Sequence, residues 1–510
     1  MENKVLKTEV YTNSGVWSDS LEQPIDVEFT LPEYCPDIAK IFKCKTVARI
    51  SSKSLNDKSV TIDGSISITL LYCDANKNLC SYEYQYPFNK VKEVDIDTKG
   101  CSLSVNAKTE YINCRAVSGR KVDIHGAVGI LLNIFCRKCK SVVSDIDDCN
   151  IETRRFAVPA TSPMGYNEKY LIVEEEINLS QTNNEISKII RYDAHPSVID
   201  CKVMNDKVMV KGEMAVTVTY CAENLQIPQV VKTLVPFSQI VDIAGVNEAC
   251  KCETKATLAF LDIKPKTNIS GECKSFILNA KLLLCSQAFC VDDIQIIGDA
   301  FSRKYEANFL REKINFTKIC KNINEKMHYK NNVNLNEEIT SVLDLWCDVT
   351  SQNVKFTESA MMICGSILIS TVAISESGEV VFFEKPDDFE FTFDLGDNTD
   401  LLKCSPEISV ISCGFTINSP NTLEIRAELA LNAAVLQERN IELITDIELD
   451  ERKLKQKEKN CSLTVYFVSG QECVWDIARI YNASVDEIIK INNIQGEFVS
   501  DGSMLLVPTM

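Results

Sequence analysis

Three stretches of this chain restate one another at intervals of about 150 residues, so its fold must hold one unit three times over. The phrases DIAKI (37–41), EISKI (185–189) and EITSV (338–342) each precede a glycine by the same distance: 26 residues separate Ile38 from Gly64, Ile186 from Gly212 and Ile339 from Gly365. Around each glycine apolar residues take every second place. They are Val60, Ile62, Ile66, Ile68, Leu70 and Tyr72 in the first copy, and Val208, Val210, Met214, Val216, Val218 and Tyr220 in the second. The third keeps Met361, Ile363, Ile367 and Ile369, then weakens to Thr371 and Ala373. Successive side chains of a strand point to opposite faces, so this period of two predicts a half-buried strand. The glycine falls on the inward parity. That position predicts a bulge or the close approach of another backbone, or else room for a bulky neighbour.

A second alternating strand closes each unit: Val122, Ile124, Val128, Ile130; Phe276, Leu278, Leu282, Leu284; Leu423, Ile425, Leu429, Leu431. A small residue, Gly126, Ala280 or Ala427, sits inside each set. Pro87-Phe88 and Pro236-Phe237, with Phe389 at the matching place, mark a kink or a strand entrance between the two strands. The expected fold is therefore mainly β: three repeated antiparallel units, each a sandwich or open barrel with one short helix at the DIAKI phrase. The pattern lapses at PATSPMGY (159–166), in a polar zone (303–332) and in DERKLKQKEK (450–459). These lapses set the expected boundaries: units at 17–150, 165–300 and 318–448, a charged linker at 449–462 and a terminal domain at 463–510. The linker is either a solvated tether or a helical extension of the third unit.

Composition excludes several function classes. A net charge of −18 without a basic patch argues against a nucleic-acid partner. The opening MENKVLKTEVYTN lacks the apolar centre of a signal peptide, and no run of 18 apolar residues occurs, so the chain is expected to stay in the cytosol and to span no membrane. In that reducing compartment most of the 23 cysteines are expected to be thiols that behave as small apolar residues, as Cys73 and Cys221 do at strand ends. Cys136 and Cys139 (CRKC) have redox or metal spacing but lack the second pair or histidine that a zinc site needs. No cofactor and no metal are expected. Nor is an enzyme. Only His125, His195 and His328 are present, and no HExxH, GxSxG or GxxxxGK[ST] phrase occurs. His125 falls on the outward parity of a strand, and His195, before Pro196, predicts a turn. The acidic runs at 147–148 and 174–176 are read as edge or loop charges, and no candidate acid or base recurs from unit to unit.

The last 48 residues read differently. Val465 and Phe467 lie in a short strand, and Val474, Ile477, Ala478 and Tyr481 form one face of a helix. Ser484 with Glu487 predicts a capping box opening a second helix, which carries Val485, Ile488, Ile489 and Asn492. A Gly502 turn and a closing strand end at Pro508, giving the order β-α-α-β. Trp475 stands beside the apolar stripe. It either presents an aromatic face to a partner or covers the edge of the small core. Six acids against two bases favour a basic partner surface.

Tyr466, Val468, WDIA (475–478), YNASVDEI (481–488), Asn492 and DGSMLLVP (501–508) resemble a LysM domain, a module that binds the N-acetylglucosamine chains of peptidoglycan and chitin. Where that family carries Gly-Asp-Thr before its first helix, this chain has Gln471, Glu472 and Cys473. With the loop at 492–494, that altered loop forms the family's groove. The resemblance and Trp475 together name Glu472, Cys473, Val474, Trp475, Asp476, Arg479, Asn492, Asn493 and Ile494 as the expected partner-binding residues. Three units plus this tail, with LPEYCPDIAKI (31–41) as the best-matching phrase, resemble the clostridial spore-coat morphogenetic proteins of the SipL type, built from SPOCS domains. That resemblance implies a noncatalytic scaffold in the mother cell at the forespore surface, working with the morphogenetic ATPase SpoIVA and other coat proteins. The alternative is an anchor that binds peptidoglycan of cortex or wall.

Overall fold

The computed structural model describes residues 4–179, 185–223, 227–396, 401–455 and 462–508. Strands make up 78% of the chain, so the mainly β expectation holds, and every strand pairing is antiparallel. Unit 1 consists of β1 (Lys4–Thr30), β2 (Lys40–Asn56), β3 (Ser59–Cys73), β4 (Leu79–Glu93), β5 (Cys101–Ala116) and β6 (Lys121–Asp147). Its two sheets have the orders β2-β3-β4 and β1-β6-β5, so the two alternating strands, β3 and β6, are the central ones. Their inward side chains, among them Ile62, Ile66, Ile68 and Tyr72 against Val122, Ile124, Val128 and Ile130, are fully buried in one core.

Unit 2 repeats the plan with β7 (Ile151–Asn178), β8 (Ile186–Met204), β9 (Lys207–Ala222), β10 (Gln229–Asp242), β11 (Lys251–Thr267) and β12 (Cys273–Ser302). Unit 3 follows with β13 (Tyr305–Asn334), β14 (Ile339–Phe356), β15 (Ala360–Ser375), β16 (Val380–Asp394), β17 (Leu402–Cys404), β18 (Glu407–Ser419) and β19 (Thr422–Leu454). The orders β10-β9-β8, β7-β12-β11, β14-β15-β16 and β13-β19, with β17 and β18 on β19, match unit 1 strand for strand. Thr371 and Ala373, where the third pattern weakens, are buried.

The inward glycines serve two needs at once. Gly64, Gly212 and Gly365 pair across the sheet with Phe88, Phe237 and Phe389, whose rings lie over the missing side chain. On the other flank Gly64 and Gly212 pair with Ile50 and Val198, next to bulges at Ser51 and Ile199, while Gly365 pairs with Gln352, two residues past a bulge at Thr350. A Cβ on Gly64 would sit 2.7 Å from the Arg49 carbonyl oxygen, besides colliding with the Phe88 ring. Gly64→Ala is therefore expected to destabilise unit 1 by about 1–3 kcal/mol, read as a lowered melting midpoint, because the bulged backbone cannot retreat as a side chain could.

Three expectations are corrected. DIAKI is not helical: residues 31–39 form a loop pinned by Arg120, whose guanidinium reaches the carbonyls of Leu31, Pro32 and Cys35 and the carboxylate of Asp37. Pro32 and Pro36 bias their predecessors away from helix, so the phrase leads into β2 instead. His195 lies within β8, not in a turn, because β8 is an edge strand and Pro196 interrupts no interior ladder. The lapses at 159–166 and 303–332 are not linkers. They fall within β7 and β13, except for a short turn near Arg303. β7 is an edge strand too, and there Pro163 stands beside a bulge at Met164.

Those stretches are one side of three long hairpin arms, β1/β6, β7/β12 and β13/β19, which run on past the sandwiches. Each arm leaves its unit at an equivalent bulge, Val16, Met164 or Cys320, and has a second at Ser144, Gly298 or Thr445. Units drawn from 17, 165 and 318 would cut off these arms. The arms pack on one another through Val10 and Val142, Val158 and Ile296, and Ile314, Phe316 and Leu443, with a second shared core around Val143, Ile297 and Ile444. Of the charged run at 450–459, the part up to Leu454 belongs to β19, and residues 456–461 lie outside the described residues.

The sandwiches also meet. Phe42, Leu71 and Leu79 of unit 1, Ile190 of unit 2, and Leu343, Trp346 and Val372 of unit 3 share one apolar cluster. Beside it stand Arg191 and Asp344, register partners of the residues seven past the inward glycines of units 2 and 3 (Thr219 and Val372), the place that Lys43 holds in unit 1. Arg191 Nε lies 2.8 Å from Asp344 Oδ2 and also pairs with Asp193, while Lys45 Nζ lies 3.0 Å from Asp348. Burial alone would raise the Asp193 carboxyl, but Lys45 and Arg191 outweigh it and hold the group well below the usual range. At the place shared by Lys43, Arg191 and Asp344, units 1 and 2 thus carry a cation and unit 3 a carboxylate, and the Arg191–Asp344 pair ties unit 2 to unit 3.

Candidate partner-binding surface of the C-terminal module

The tail folds into β20 (Leu463–Phe467), β21 (Glu472–Cys473), α1 (Val474–Tyr481), α2 (Val485–Asn492), β22 (Phe498–Val499) and β23 (Met504–Pro508). The expected β-α-α-β order is present, with β20 pairing β23, and two short strands, β21 and β22, are added beside the helices. Both helices end on asparagines in the left-handed conformation, Asn482 and Asn493, a role that asparagine tolerates better than most residues.

Ser484 occupies the N-cap of α2 but makes no capping bond from its side chain. The Glu152 carboxylate on β7, in the arm of unit 2, faces this helix start, with the Val485 amide and the Ser484 hydroxyl as the donors beside it. Burial raises the Glu152 carboxyl, while Arg303 and these two donors oppose the rise.

The expected partner-binding residues divide into three groups. Trp475 is corrected most. It is only 7% exposed, its ring meets Phe301 of β12 edge-on at 5.0 Å, and its indole N–H donates to Asp299 Oδ2 at 2.8 Å. Arg479 also pairs with Asp299 and lies 5.8 Å from the Trp475 ring, and Arg311 reaches the same carboxylate at 2.6 Å. This flank of α1 is therefore covered by the protein's own arm. Cys473 and Val474 are buried in the module's core, and Asn492 holds it together: its side-chain amide donates to the Ile488 and Leu506 carbonyls and accepts from the Leu506 amide. Glu472 is half-buried and accepts from the Tyr466 hydroxyl at 2.6 Å. Ile494 packs against the module's core, and Asp476, Asn493 and the outer part of Arg479 remain open to solvent.

The two loops flanking the helices are joined. Val474 donates its amide to the Glu497 carbonyl at 2.9 Å, Cys473 pairs with Phe498, and Arg154 of β7 reaches the Glu497 carboxylate at 2.5 Å. What sequence reasoning missed lies on the sheet. Leu463, Val465, Phe467 and Met504 are exposed, Phe467 by 68% and Met504 by 59%, and the Phe467↔Met504 pairing makes them neighbours. Alternation within 463–467 was the available signal, since these residues occupy the parity opposite to Tyr466.

Elsewhere, His125 is exposed between Asp123 and Asp26, and Cys136 is disulfide-bonded to Cys101, not joined to Cys139. Cys136 and Cys139 are an odd number of places apart on β6, which turns them to opposite faces, whereas Cys101 is its register partner on β5. Among the described residues no helix is long and apolar enough to cross a membrane.

A search of curated proteins and one of solved structures each return no match to this chain. Residues 37–117 and 185–266 do match a family model, described as SipL, SPOCS domain. The two matched segments run from β2 into the turn after β5 in unit 1 and from the start of β8 through β11 in unit 2, so the match falls on equivalent parts of the repeat. Two of the three units with this shared topology therefore carry the SPOCS-domain match, which supports a SipL-type protein with a coat-related role in sporulation.

Proposed function

We propose that this protein is a noncatalytic scaffold that helps assemble the coat around the forespore from the mother-cell side. Its LysM-like module recruits a morphogenetic coat protein of the SpoIVA type. The observation that carries this reading is the exposed apolar strip Leu463, Val465, Phe467 and Met504. Four large apolar side chains together on so small a module are the kind of patch that marks a protein interface, since water-facing surfaces rarely gather them without use. The loops from which a sugar groove would be built are tied to each other and to Arg154. The three units supply a large rigid body, and docking of the module on the arm of unit 2 means that recruiting one partner positions the whole assembly.

The test uses the full chain in two parallel assays, sedimentation with purified peptidoglycan and retention on the immobilised SpoIVA-type ATPase. Retention on the ATPase without sedimentation is the expected result. Sedimentation with peptidoglycan and no retention would instead establish a wall or cortex anchor.

A further inference from the structure

The disulfide of unit 1 has an unassigned counterpart in unit 2. Cys101 stands nine residues before the bulge residue Glu110 of β5, and Cys250 stands nine before the bulge residue Ala259 of β11. Cys136 and Cys290 each lie eight residues beyond the partner of the residue preceding that bulge, Val128 and Leu282. The pairs are therefore the same two places in the repeat. In unit 3 those places hold Leu402 and Gln437, which also face each other. The sulfurs of Cys250 and Cys290 are 2.8 Å apart as thiols.

We propose that Cys250 and Cys290 are a redox-sensitive pair that closes to a disulfide when the protein meets a low-molecular-weight disulfide. Cys250 lines an open cleft of about 650 Å³, with Asp200, Lys202, Glu248 and Lys251 around it, wide enough for such an oxidant to enter. The Cys250 thiolate attacks one sulfur of the oxidant RSSR, giving a mixed disulfide and releasing one RSH. Cys290, already in contact, then attacks the Cys250 sulfur and releases the second RSH. Two thiols and one RSSR become one protein disulfide and two RSH, the two electrons passing from the protein to the oxidant. Cys201 and Cys252 line the same cleft but compete poorly, because burial pushes both thiols up, Cys252 to about 12.

The location gives the bond a consequence. Cys290 pairs with Ser162 just past the Met164 bulge, where the arm of unit 2 parts from its sandwich. The same strand runs on to Asp299 and Phe301, which hold the C-terminal module. Closing the bond would clamp the start of β11 to the root of that arm.

The experiment treats the full chain with oxidised glutathione or with dithiothreitol, then maps disulfides by non-reducing digestion and fragment mass spectrometry. A Cys250–Cys290 linked peptide is expected only after oxidation, with slowed amide exchange at the start of β11. The melting midpoint should rise on oxidation by about 2 °C or more, and that part of the rise should be missing in Cys250→Ser. The mapping on the unmodified chain does not depend on how the variant folds. Recovery of the pair as thiols, as lasting glutathione adducts, or joined to Cys201 or Cys252 would overturn the proposal.

Discussion

Asp344→Ala is expected to cost about 3–5 kcal/mol and to loosen the junction of all three units, not only its own. The Asp344 side chain is 1% exposed and accepts from Arg191 through both oxygens, at 2.8 and 3.1 Å, and from the Thr219 hydroxyl at 3.2 Å. Removing it strands a buried guanidinium that Asp193 alone must balance. Asp348→Ala, at a partner of Lys45 that is 42% exposed, should by contrast change stability by no more than about 1 kcal/mol. Urea titration of the two variants, followed by tryptophan fluorescence at Trp346 in the junction, separates them. A shift of equal size in both would mean that the charges at the junction act through the general field and not through the buried pair.

Trp475→Ala carries the second large effect, about 3–5 kcal/mol lost from the module and its docking. The indole fills the contact with Phe301 and donates to Asp299, so its removal opens a void and leaves that carboxylate with Arg311, Arg479 and the Ala300 amide. Phe301→Ala, 174 residues away in unit 2, should loosen the module in the same sense. Hydrogen exchange across α1 reads both variants, with faster exchange expected in each. Unchanged exchange in Phe301→Ala would mean that the arm does not support the module.

How far the sequence disclosed this molecule depends on what each residue responds to. The alternation around Gly64, Gly212 and Gly365 reports a face that is buried within its own sheet sandwich, and such local periodicity survives into the fold. The arms were hidden because β7 and β13 bury only a few residues each against other arms, leaving polar strands, β7 with two prolines, that read as unit boundaries. Trp475 misled for a related reason. Its position beside the helix stripe is surface for the module alone and becomes interior only through Phe301, a partner that no spacing rule connects to it. Ser484 and Glu487 had the letters of a capping box, yet a carboxylate from another unit, Glu152, faces the helix start. None of the expected partner-binding residues lies on the exposed sheet face of the module, because an exposed Phe467 and a buried Val468 are equally apolar letters.

On the proposed function, the exposed strip of the C-terminal module recruits the coat partner for the whole scaffold. The most direct measurement is the affinity of the full chain for the SpoIVA-type ATPase with Val465→Asp and Phe467→Asp introduced together, alongside the melting profile. Binding at least about 30-fold weaker with the melt unchanged is expected, since Val465 and Phe467 lie outside the module's buried cluster and a hot-spot pair is worth about 2 kcal/mol or more. Undiminished binding with both charges in place would contradict it.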